Sequence, residues 1–206
     1  MNTRTVSITA GISYLIIFFA AIFANFFALE SLIQAPVETI ENNDLIVRIG
    51  IIAFLITVVF DVVVAWALRE LYRTHPLTVL STYFRMMHAA IMGVAIFALP
   101  LALKETTQDD ILVQVDTFKY IWLIGLFFFG IHLTLLSKIA IVPKFIKVFL
   151  AMAGVMYVVD TIAHFLLSNY SDFASVFLLL VAIPSIFGEM SFAIWLLFKG
   201  GKPKGA

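Results

Sequence analysis

Apolar residues along this chain run in six long blocks, and polar residues collect between them. The blocks cover about 8–29, 45–68, 77–103, 118–137, 145–167 and 173–198. Each is close to the roughly 20 residues that cross a bilayer as an α-helix. The stretches between them are short, the longest being Glu30–Asp44 and Lys104–Thr117. None has room for a second domain, and no Gly/Ser-rich linker or internal repeat interrupts the series. The pattern predicts an all-α integral membrane protein, a single six-helix transmembrane bundle over residues 1–206. The first block is longer than the 7–15 apolar residues of a signal peptide. Only Arg4 precedes it and no A-x-A cleavage site follows, so it is expected to stay as a helix.

Composition agrees with a lipid solvent. Of 206 residues, 63% are hydrophobic and 13% charged, where soluble domains carry roughly a quarter charged residues. That much apolar surface has no place to hide in a water-soluble fold of this size. Formal net charge is zero, which gives no overall basic footprint for nucleic acid. There is no cysteine, so disulfides, thiolate metal sites, covalent c-type haem and cysteine nucleophiles are excluded.

Charge placement predicts orientation. Arg4, Arg69, Arg73, Lys138, Lys144, Lys147, Lys199, Lys202 and Lys204 fall on one side of the six spans. Lys104 and Lys119 fall on the other, with Arg48 just inside a helix start. The positive-inside rule places the first set, and both termini, in the cytoplasm. Glu30, Glu38, Glu41, Asp44, Glu105, Asp109, Asp110, Asp116 and Asp172 lie outside. A bacterial cytoplasmic membrane is the expected location. Small residues at four-residue spacing, Ala20–Ala24–Ala28 and Ala89–Gly93, suit close helix packing. Pro100 and Pro184 are expected to kink their helices, with Ser185 or a neighbour satisfying the freed carbonyls.

The chemistry of interest lies inside the spans. Asp61, Arg85, His132, Asp160 and Glu189 are ionisable residues within apolar stretches, with His88 and His164 beside them. A charge at membrane depth costs at least a few kcal/mol and usually faces the bundle interior. Counting about 1.5 Å per residue places Asp61, Arg85, His88, His132 and Glu189 at overlapping depths in the cytoplasmic half, on four helices. Ser13 and Tyr14 reach a similar level. Asp160 and His164, four apart on one helix face, form an outer group with Arg48 and Asn25. Arg85 is always protonated, so it should pair with Asp61 or Glu189, leaving one carboxyl group for the histidines or for a proton.

Several chemistries fit these residues unequally. The bland reading of Arg85 and its carboxylate is an ion pair that fixes helix register. The functional one is a grip on a carboxylate or phosphate headgroup. His88, His132 and Glu189 are candidate metal ligands by type, but no H-E-x-x-H or other compact motif holds them together. Asp160 should orient the His164 imidazole through a hydrogen bond. A haem between helices has only His88 and His132 as an inner pair. Ser13, Ser81 and Ser137 carry no nucleophile motif. No Gly-rich phosphate loop supports ATP or dinucleotide use.

The blocks AGISYLIIFFAAIFANF, RIGIIAFLITVVFDVVVAWALRELYR, YFRMMHAAIMG, FFFGIHLTLLSKIAIVPKFI, LAMAGVMYVVDTIAHFLLSNY and PSIFGEMSFAIWLLFKG occur in this order over nearly the whole chain. Their order and spacing resemble a bacterial family of six-helix membrane proteins catalogued as domain of unknown function 4386. SKIAIVP departs from the family, which often has a glycine before this proline-containing turn. The resemblance implies the fold and a membrane location, and no reaction. It aligns Arg48, Asp61, Arg85, His132, Asp160 and Glu189 with positions already marked by their polarity.

Three functions compete. The first is binding or transport, in which a polar pocket holds a small hydrophobic or amphipathic ligand, or relays protons. Neither an inverted repeat nor a pair of broken helices accompanies it. The second is a metal-dependent enzyme acting on a lipid-like substrate, with Arg85 on its polar head. The third is an accessory protein whose buried ion pairs serve packing alone. Binding or transport ranks first. Membrane lipids are the expected partners, and no nucleic acid is.

Overall fold

The computed structural model describes residues 2–201. Lys202 and Lys204, two of the cations that set the expected orientation, lie outside the described residues. Six helices are long and apolar enough to span a membrane. They are α1 (Thr3–Gln34), α2 (Pro36–Leu71), α3 (Thr78–Ala102), α4 (Gln108–Ile139), α5 (Lys144–Leu166) and α6 (Tyr170–Phe198). No strand occurs among the described residues.

The helices overrun their apolar blocks. The expected loop at Glu30–Asp44 is almost wholly helical. The chain reverses at Ala35 (φ −142°, ψ 69°), and Pro36 opens α2 at a position where its missing N–H costs nothing. A second break falls at Asn43 (φ −147°, ψ 35°), just before the apolar run begins. Lys104–Thr117 shortens in the same way. Thr107 caps α4 by accepting from the Asp110 N–H at 3.2 Å, and Asp109 and Asp110 occupy the positive first turn. Hydropathy marks where lipid begins, while the caps decide where the helix begins.

Each helix packs against its neighbours in sequence, and α6 packs back on α1, so the six form a closed ring. Both described ends of the chain lie at one end of this ring. There Arg4 donates to the carbonyl oxygens of Leu196 (3.1 Å), Gly200 (2.8 Å) and Leu197, and Ser7 Oγ donates to Leu196 O at 2.8 Å. Arg4 thus caps the C-terminal end of α6, where carbonyls lack helical partners and carry partial negative charge. Gly201 makes the close approach possible. Its φ is +69°, and a Cβ on it would lie 2.5 Å from Thr3 O.

Small residues set the closest crossings. A Cβ on Gly130 would meet Gly154 O at 2.6 Å, so α4 and α5 touch backbone to backbone. Ala24 and Ala28 are buried in α1, and Ala28 fills the space beside Gly50 of α2. Gly93 is looser. A Cβ there would find only Val58, at 3.9 Å, so the Ala89–Gly93 pair does not make a tight crossing of this kind. The α3 helix is interrupted at Phe97, three residues before Pro100, whereas α6 runs on through Pro184.

Two apolar cores fill the ring. The one at the far end, around Phe54, Ile96, Ile111 and Phe118, comes from α1 to α4 alone. The one at the end bearing the termini, around Tyr14, Leu68, Leu133, Leu150 and Phe192, draws on α1, α2, α4, α5 and α6. Into this second layer α3 brings polar side chains.

Candidate functional site

Arg85 is the centre of that layer. Only 1% of it is exposed, and it is the largest fully buried side chain among the described residues. Its position follows from the spacing on α3. Ser81, Arg85, His88 and Met92 recur at three- and four-residue steps and share the inward face. Arg85 Nη2 donates to Asp61 Oδ1 of α2 at 2.5 Å. Nη1 donates to Tyr14 OH of α1 at 2.9 Å and lies 3.3 Å from His132 Nε2 of α4. The guanidinium also faces the rings of Tyr14 and Phe129, at 4.9 and 5.3 Å from their centroids. Its Nε has no hydrogen-bond partner.

The two histidines are fixed differently. A guanidinium only donates, so His132 Nε2 accepts and the ring proton sits on Nδ1. Nδ1 lies 3.0 Å from the Ser81 carbonyl oxygen, to which it donates, and 2.9 Å from Ser81 Oγ. His88 Nδ1 donates to Gly125 O at 2.9 Å, and Nε2 faces Asp61 Oδ2 at 3.6 Å. The Phe129 ring lies 4.7 Å from the His88 ring and 5.9 Å from that of His132. A crevice beneath His132, bordered by Leu68, Tyr72, Thr78, Ser81 and Leu136, has room for about one water molecule.

Four of the five inner residues marked in the sequence therefore meet: Asp61, Arg85, His88 and His132. Asp61, not Glu189, is the partner of Arg85. Glu189 belongs to a neighbouring group. Ser185 Oγ lies 2.7 Å from Glu189 Oε1 and 2.9 Å from Tyr157 OH. One hydroxyl proton serves one acceptor, so with Ser185 donating to the carboxylate, Tyr157 donates to Ser185. Ser185 is thus engaged by Glu189 and Tyr157, and not by a carbonyl freed at Pro184. The candidate metal set of His88, His132 and Glu189 does not assemble. No group of three or more His, Asp or Glu is placed to hold a metal ion among the described residues. His132 turns its free nitrogen to a guanidinium instead.

The outer residues do not form the group expected of them. Asp160 accepts from Tyr170 OH at 2.6 Å, and no Asp160–His164 hydrogen bond forms. The His164 ring packs edge-on against Tyr170, with centroids 4.5 Å apart, and against Tyr120 at 5.6 Å. The phenol reaches the carboxylate from the following turn and displaces the imidazole as its partner. Arg48 pairs with Asp44 at 2.7 Å on an exposed helix surface, one turn back. Asn25 donates to Ala21 O at 2.9 Å, inside a wide turn of α1 over Ala24–Leu29. Arg48 and Asn25 both stand apart from Asp160. Ser81, Tyr157 and Tyr170 were not singled out by the sequence as partners. Their one signal was a hydroxyl in an apolar block, which most serines and tyrosines of a membrane helix share.

A relative of this chain occurs in an archaeon. A protein of Archaeoglobus fulgidus described as uncharacterized is 29% identical over 159 residues, covering 74% of this chain and 85% of its own. No solved structure matches. The family model described as "Domain of unknown function (DUF4386)" matches residues 9–200, which hold every residue of the Arg85 cluster, and the chain belongs to that family.

Proposed function

We propose that this chain is a proton-exchanging membrane protein of the binding or transport type, working at the buried pair of Asp61 and His88. One observation carries the reading. The Gly125 carbonyl only accepts, so His88 Nδ1 keeps its proton in either charge state of the ring and any exchange falls to Nε2. His88 Nε2 faces Asp61 Oδ2 at 3.6 Å. With the ring neutral, two acceptors face each other in the buried interior, with a place between them for one proton. Uptake converts that contact into a charge-assisted hydrogen bond, and release restores two opposed acceptors. The two states differ in their contacts, which is what a coupled conformational change requires.

The surroundings support exchange of a proton over capture of a large ligand. The crevice under His132 suits a water molecule and falls far below the roughly 300–1,000 Å³ of small-molecule sites. It lies toward the end bearing the termini and is lined by Ser81 and His132. The lysine and arginine bias favours a cytoplasmic position for this end.

The test is ¹⁵N-histidine NMR of the protein in lipid nanodiscs across the pH range in which it stays folded. His88 Nε2 is expected to be found in both free and protonated states, in a balance that Asp61→Asn changes. A wild-type His88 that keeps one state throughout overturns the reading.

A further inference from the structure

We propose that Glu189 is a second proton-exchange site, at the margin of the bundle and distinct from the buried pair. Arg85 is committed to Asp61, and no cation lies within ion-pair distance of Glu189 among the described residues. The one guanidinium of the bundle interior among the described residues therefore serves Asp61 and leaves Glu189 without a cation. A bare carboxylate at membrane depth is costly, and a proton is the smallest partner that removes the charge. Glu189 is also only partly buried, whereas Asp61 is buried. Glu189 is thus the more accessible of the two to a reagent dissolved in the membrane.

The side chains around Glu189 suit a carboxyl that gains and loses a proton. Tyr157, Ser185 and Glu189 form a continuous hydrogen-bonded row across α5 and α6. Both hydroxyls can reverse their donation, so the row accommodates a charged or a neutral Glu189. The titratable groups facing it are Tyr157 from α5 and Tyr14 from α1, with Arg85 and His88 of α3 and Asp61 of α2 across the bundle. The inference stands whether or not Asp61 and His88 exchange a proton.

Dicyclohexylcarbodiimide is the probe, because it partitions into lipid and reacts with protonated carboxyl groups. The carboxyl proton moves to a carbodiimide nitrogen, and the carboxylate oxygen adds to the central carbon. The resulting O-acylisourea rearranges by acyl migration to a stable N-acylurea, with every atom of both reactants retained. Mass mapping of nanodisc protein should find this adduct on Glu189, falling as pH rises and lost in Glu189→Gln. Glu189→Asp keeps the carboxyl group and should still label, which guards against a folding defect in the first variant. Ser185→Ala should shift the pH profile of labelling. His88→Gln should leave labelling in place, which separates this site from the buried pair. A folded wild type with Glu189 unlabelled at every pH, or labelled equally at all pH values, overturns the proposal.

Discussion

Arg85 and Arg4 both reach from one helix to others, and they hold the bundle in opposite ways. Arg85 is sealed at its centre, bound to the side chains of Asp61, Tyr14 and His132, with one nitrogen left over. Arg4 sits half-buried at the rim and binds only backbone carbonyls, those at the end of α6. The rim contact is geometric, because any well-placed donor would satisfy those carbonyls. The central contact is electrostatic, because Asp61 would otherwise be a lone charge out of reach of water. One arginine closes the ring and the other balances its interior.

Removing the central arginine should have the largest effect. Arg85→Ala strands Asp61 and is expected to cost about 3–5 kcal/mol in a reversible unfolding assay in mixed micelles. The double variant Arg85→Met/Asp61→Leu sharpens the point. It removes both charges together and should unfold later than Arg85→Ala alone, since apolar replacement of a buried pair is often neutral or better. A double variant less stable than the single would show that the charges are not what Arg85 balances. Tyr14→Phe is the milder change at the centre. It takes one acceptor from Arg85 while keeping the ring, and about 1.5–3 kcal/mol is expected, below the loss from Arg85→Ala. A Tyr14→Phe loss as large as that of Arg85→Ala would contradict the division between charge and shape.

The rim should respond less. Gly201→Ala forces a methyl group into a left-handed backbone against Thr3 and should cost about 1–2 kcal/mol by the same assay. Arg4→Ala, which removes the helix-end cap, should cost about 1 kcal/mol and be partly rescued by Arg4→Lys.

The six spans were legible because lipid admits few alternatives to an apolar helix. Their ends were not, because Pro36–Asp44 and Gln108–Thr117 are polar stretches that cap and extend helices beyond the membrane. Asp61, Arg85, His88 and His132 stood out because ionisable groups are rare at that depth. Their pairing was half legible. Charge arithmetic required a carboxylate for Arg85 and did not choose between Asp61 and Glu189. Asp160 and His164 share a helix face by spacing, yet spacing says nothing of a tyrosine arriving from the next turn. Ser81 and Tyr157 stayed hidden because a hydroxyl takes its meaning from what lies across the helix gap.

The contact between Arg4 and Leu196 joins residues 192 positions apart in the chain. A ribosome delivering this protein exposes α1 long before its last neighbour exists. The far-end core needs only α1 to α4 and can settle early, leaving Arg85 and Tyr14 in place while the other layer waits for two more helices. Synthesis order then carries a structural consequence, in which the sixth span is the one that locks the first.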